Sequence, residues 1–79
     1  METQELEKVF ARKLSKAGWH TYRDEESGRV VTNAYASERE KLERISGMAC
    51  EVITEPAAEG TCARIGPTLP GNSARTTDG

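Results

Sequence analysis

Three basic residues, Lys8, Arg12 and Lys16, recur at i, i+4 and i+8, which strings them along one ridge of a helix, and Trp19, His20, Tyr22 and Arg23 follow at once. Cations beside exposed rings can hold phosphates while the rings stack on bases. Lys8, Arg12, Lys16, Arg23 and Arg29, with Trp19 or Tyr22 as a stacking surface, are therefore a candidate nucleic-acid-binding set. The plainer alternative is a solvated helix face, with Glu5 near Lys8 and the aromatics serving the core. Lys13 is placed oddly: a helical wheel sets it inside the apolar stripe, between Val9, Phe10 and Ala17. Either its stem covers apolar surface while the ammonium reaches water, or it meets an acid on a partner. Lys13, Trp19 and Tyr22 are the candidate contacts to a protein partner.

Other reactive side chains do not assemble into a mechanism. His20 is the only histidine, with no serine or cysteine at recognisable nucleophile spacing, and reads as a partly exposed strand residue. Asp24, Glu25 and Glu26 lack the alternating oxygen ligands and fixed glycine of a calcium loop, so a solvated turn is expected. Cys50 and Cys62 match neither a disulfide framework nor a metal spacing. Both are expected to be free thiols, Cys50 as a small core residue. There is no glycine-rich phosphate loop and no paired Cys or His ligand set. The reading is of a protein that is not an enzyme and needs no cofactor or metal.

The elements that must position these residues are legible from caps and periodicity. Leu6, Val9, Phe10, Leu14 and Ala17 share one helical face from about Thr3 to Ala17, with Thr3 as N-cap, acids early and Lys13 and Lys16 late. Gly18 supplies a left-handed stop, and Trp19 stands where a Schellman cap makes its apolar contact back to Leu14. Trp19–Arg23 and Arg29–Tyr35 are aromatic and β-branched, and the polar stretch 24–28 joins them as a hairpin. Ser37-Glu38-Arg39-Glu40 reads as a capping box opening a helix over Glu38–Ser46, closed by Gly47. Met48–Thr54 is a final strand, stopped by Pro56.

That order, α-β-β-α-β, predicts a small α+β two-layer sandwich: a three-stranded sheet with two helices on one face. The expected core is Leu6, Val9, Phe10, Leu14, Trp19, Val30 or Val31, Leu42, Ile45, Met48 and Val52 or Ile53. The run from Pro56 to Gly79 carries Pro56, Pro67, Pro70, Gly60, Gly66, Gly71 and Gly79, and only Ile65 and Leu69 as bulky apolar residues. Such a stretch buries too little to offset its ordering entropy. The expectation is one domain over residues 1–55 and a flexible, disordered Pro/Gly-rich tail over 56–79. So small a core is marginal alone, and a three-stranded sheet leaves an open edge, so homodimerisation or strand addition to a partner is expected.

The 79-residue chain has a formal net charge of −2, which argues against a dedicated polyanion binder with a large basic field. No apolar run reaches the length needed to span a bilayer, and the start, with Glu2, Glu5 and Glu7, lacks the regions of a signal peptide. A cytoplasmic location with no membrane contact is expected. The run Leu14-Ser15-Lys16-Ala17-Gly18-Trp19 before a strand resembles, over the first third of the chain, small double-stranded-RNA-binding-like toxins of the HicA type. Those proteins continue with a glycine, a serine and a catalytic histidine, where this chain has Ser27-Gly28-Arg29, and their order is α-β-β-β-α. Ribonuclease activity is therefore not carried over. The reading is a small non-catalytic interaction or regulatory module, by size alone of the mobile-element regulator or inhibitor type, that binds a protein through a sheet edge or the helix 1 face. A nucleic-acid-binding module is the alternative.

Overall fold

The computed structural model describes residues 3–58 and 60–69. Helix α1 (Thr3–Lys16) leads into strand β1 (Thr21–Arg23), and β2 (Val30–Ala34) follows. A 3-10 turn (Ala36–Glu38) opens α2 (Arg39–Ser46), and β3 (Cys50–Thr54) and β4 (Ala63–Pro67) complete the sheet. The strands lie in the order β1-β2-β4-β3, every neighbour antiparallel.

The α+β class therefore stands, with one strand more than expected. The three-stranded sheet is corrected to four strands and the order to α-β-β-α-β-β. The boundary at residue 55 falls too early, because β4 lies inside the stretch assigned to the tail and occupies a central position between β2 and β3. Ile65 and Leu69, the two bulky residues of that stretch, are both buried. Residues 70–79 of the expected tail lie outside the described residues.

The core sits between the sheet and both helices. Register places Thr32 opposite Ile65, Ala34 opposite Ala63 and Val52 opposite Ile65, so these side chains share one face. Phe10 and Leu14 from α1 and Leu42 from α2 close over Ala34, Ala63, Ile65 and Cys50, with Trp19, Val30, Ile45, Met48 and Val52 packed around them. Leu6 and Val9 are only half-buried. No described helix covers the other face, which carries Tyr22, Val31, Asn33, Arg64, Glu51 and Gly66, with Val31 and Gly66 buried among their neighbours. Gly66 is a necessary gap there: a Cβ would lie 2.5 Å from the Val30 carbonyl oxygen and within 3.5 Å of Val31 and Ile53. The glycine lets those two apolar side chains close over the strand.

The stop after α1 forms as its residues dictate. Gly18 has φ +92°, the Trp19 amide donates to the Leu14 carbonyl at 2.9 Å and the Gly18 amide to Ser15 at 3.0 Å, the paired bonds of a Schellman cap. Gly47 closes α2 in the same left-handed conformation, its amide donating to the Glu43 carbonyl. The expected capping box at Ser37 and Glu40 is displaced. It is the Glu38 carboxylate that reaches back, accepting from the Tyr35 amide at 2.9 Å, so a 3-10 turn precedes α2 and the helix starts at Arg39. The side chain of Thr3, the expected N-cap, lies outside the described residues.

Candidate interaction surface

The flank of α1 meets the sheet where the ladder between β2 and β4 fails. Alternation of the antiparallel bonds would pair Val30 with Pro67, but a proline has no N–H to give. The ladder ends at Thr32 and Ile65. The missing donor leaves the Val30 carbonyl without its ladder bond, and at this end side chains reach the backbone: the Val30 amide donates to Glu7 Oε2 at 3.4 Å, and the Pro67 carbonyl accepts from Arg29 Nη2. This explains a carboxylate on the buried face of a helix. Glu7 is 6% exposed, and Arg23 Nη2 of β1 lies 3.6 Å from its Oε1. Its spacing with Phe10 and Leu14, three and seven residues on, is the sequence signal that places Glu7 in the apolar stripe.

A groove of ≈ 200 Å³ runs beside this pair, lined by Gln4, Glu7, Lys8, Ala11, Arg23 and Val30. It brings together two of the expected basic residues, Lys8 and Arg23, from different elements. Arg23 is anchored through Nη1 to the Gly28 carbonyl at 2.7 Å, yet its side chain stays 61% exposed. The ridge of α1 is exposed throughout at Lys8, Arg12 and Lys16. Each four-residue step turns about 40° around the axis, so Lys8 stands on the groove side, Arg12 near the crest and Lys16 beyond it. None of the three forms an ion pair among the described residues.

The remaining candidates scatter. Arg29 precedes β2 and is held on the sheet face away from the helices, by Glu51 at 3.0 Å and the Pro67 carbonyl, and does not extend the ridge. Lys13 is exposed and extends to the C-terminal end of α2, its Nζ 3.9 Å from where a Cβ on Gly47 would sit. A cation there faces the negative end of the α2 dipole. Trp19 is half-buried against the core, and Tyr22 points onto the open sheet face, donating from its hydroxyl to Asn33 Oδ1 at 2.7 Å. These two rings do not form one stacking platform. His20 is exposed and stacks on Tyr22, ring centroids 6.0 Å apart.

The expectation of a solvated acidic turn holds for Glu25 and Glu26 but not for Asp24, which is buried. Asp24 Oδ2 accepts from the Ser27 hydroxyl at 2.7 Å and the Ser27 amide at 3.2 Å, and Oδ1 accepts from Arg64 Nη1 at 2.8 Å. The Ser27 hydroxyl, its amide and the Arg64 charge together hold the Asp24 carboxyl below its usual range despite burial, and Asp24 in turn raises the Arg64 guanidinium. Tyr22, Arg23, Asp24, Glu25, Glu26 and Arg64 outline a shallow cleft of ≈ 350 Å³, whose charges are already matched to one another. Cys50 is a buried core thiol, as read, and burial pushes its pKa up; Cys62 is exposed. Both are free.

The two sheet edges differ. At β3, the Cys50 amide donates to Glu43 Oε2 at 2.9 Å and its carbonyl accepts from Arg39 Nη1 at 3.4 Å, while Arg39 and Glu43 pair with each other at 2.9 Å. Two α2 side chains thus occupy the backbone groups that a further strand would use, and a register shift between Val52 and Thr54 interrupts the rest. The β3 edge is therefore blocked at Cys50. At β1 no such cover is present among the described residues. No described helix is long and apolar enough to cross a membrane, and no group of three or more metal-ligating side chains gathers among the described residues. No family model, curated protein or solved structure matches the chain.

Proposed function

We propose that this chain is a non-catalytic interaction module that receives an acidic surface of a protein partner on the groove side and crest of α1. One observation carries the reading: Lys8, Arg12 and Lys16 are exposed with no ion pair among the described residues, whereas Arg29, Arg39 and Arg64 are each held by a carboxylate. Lys13, Lys41 and Arg44 are likewise exposed without an ion pair among the described residues, but Lys8, Arg12 and Lys16 are set apart by following one ridge of α1; such a row favours an anionic partner, and a net charge of −2 favours a local acidic patch over a long polyanion. A nucleic-acid-binding module is the second reading, favoured by Lys8 and Arg23 sharing one groove.

Amide NMR of the full chain separates them, with poly-L-glutamate and a mixed-sequence duplex as probes at low and physiological salt. Poly-L-glutamate is expected to shift α1 amides, and a variant carrying Lys8→Glu, Arg12→Glu and Lys16→Glu is expected to lose the response. Stronger shifts from the duplex, falling steeply with salt, would transfer the assignment to nucleic acid. No response to either probe would sink both.

A further inference from the structure

We propose, resting on the reading above, that the partner's acidic segment binds in extended form as a fifth strand along β1. Bond parity exposes the edge. The Asp24 amide donates to the Arg29 carbonyl and the Asp24 carbonyl accepts from the Gly28 amide, both at 2.7 Å, so both backbone groups of Asp24 face the returning chain. Antiparallel alternation then makes Tyr22 and Val31 a hydrogen-bonded pair and turns the amides and carbonyls of Thr21 and Arg23 away from β2. The equivalent outward groups of Cys50 on β3 are taken by Glu43 and Arg39; those of Thr21 and Arg23 have no partner among the described residues.

Charge selects the occupant. Thr21 and Arg23 project to the helix face, where Lys8 and Arg23 line the groove, and Tyr22 projects to the open face. An added strand alternates in the same way, so a suitable segment carries acids on the helix face and apolar residues beside Tyr22. A second copy of this chain fits poorly. Pairing β1 with itself about a two-fold axis would bring Lys8 and Arg23 towards the same two cations of the other copy, in the isologous manner such an axis requires. The proposal is thus a heterologous acidic strand, and the expected homodimer is not built through β1.

The test titrates the full chain with the capped hexapeptide acetyl-Val-Glu-Val-Glu-Val-Glu-amide, reading amide shifts and hydrogen exchange at Thr21 and Arg23. Thr21→Pro removes only an outward N–H, so the β1–β2 ladder survives, and binding is expected to weaken about tenfold. Two peptides N-methylated at either the three valines or the three glutamates provide a check that leaves the protein untouched. One of the two is expected to bind and the other not. Equal binding by Thr21→Pro with a native spectrum, or by both methylated peptides, would mean that the acidic segment lies on α1 without pairing, which overturns the fifth strand and leaves the proposed function standing. Undiminished binding by the Lys8, Arg12 and Lys16 reversal would overturn the proposed function itself. A dimer of the chain alone, abolished by Thr21→Pro, would replace the acidic partner with a second copy.

Discussion

The β1 and β3 edges belong to one sheet and each lies beside one helix, β1 beside α1 and β3 beside α2, yet among the described residues only one is closed. At β3, Arg39 and Glu43 from α2 imitate a neighbouring strand, one giving a hydrogen bond and the other accepting one at Cys50. At β1, the adjacent helix offers Lys8 and Gln4 to a groove and leaves the backbone of Thr21 and Arg23 alone. Edge protection here is thus a matter of which helix side chains lie within reach. Strand length works the other way, since the unguarded strand is the shorter, at three residues against five.

The comparison is broken most completely by removing what both edges depend on. A chain ending at Glu55 lacks β4, which separates β2 from β3 and supplies Ile65 to the core. It is expected to lose cooperative thermal unfolding altogether, as followed by circular dichroism; a retained, sharp transition would show that the hairpin and helices hold together alone.

A smaller and more selective change is Glu43→Ala, which uncovers the Cys50 amide and releases Arg39. A stability loss of about 1–2 kcal/mol in urea unfolding is expected, the cost of leaving such a bond unmade. New association should appear with rising concentration in sedimentation. A variant that stays monomeric would show that the register shift at Val52 and Thr54 already protects β3 unaided.

The smallest effect concerns the end of the hairpin that carries β1. The Asp24 carboxyl is lowered in the fold, so its contribution is present above the ordinary carboxyl range, near pH 4, and is lost as pH falls through the folded value. The melting temperature of the native chain should therefore drop more between pH 5 and pH 2 than that of Asp24→Asn. Parallel profiles would remove Asp24 from the account of acid sensitivity.

Much of the scaffold was legible because it is written in local signals. Gly18 and Trp19 end α1 through bonds that need only six consecutive residues, and the hairpin announces itself by a polar turn between β-branched runs. Strand β4 was illegible for the same reason in reverse. It offers one bulky residue, Ile65, between Ala63 and Arg64 on one side and Gly66 and Pro67 on the other. Its small residues suit a centre crowded by neighbours: Gly66 admits Val31 and Ile53. Pro67, with no N–H to give, ends the ladder to β2, and Arg29 takes its carbonyl. Of the candidate surface, the Lys8, Arg12 and Lys16 ridge was readable from spacing. Its junction with Arg23 and the role of Glu7 were not, since both depend on where a strand from elsewhere in the chain ends.

The placement of β4 also sets a schedule for folding. Strands β2 and β3 are not neighbours, and neither can complete its pairing until residues 63–67 thread between them. A nascent chain that has produced both helices and three strands holds a hairpin, an unpaired β3 and exposed apolar faces, but no sheet to join them. Closure is a late, non-local event whose loop entropy must be met before its contacts repay it. During that interval the Arg39–Glu43 cover at Cys50 would already shield β3 from neighbouring chains, a guard whose two side chains stand only 11 and 7 positions before the strand residue they cover.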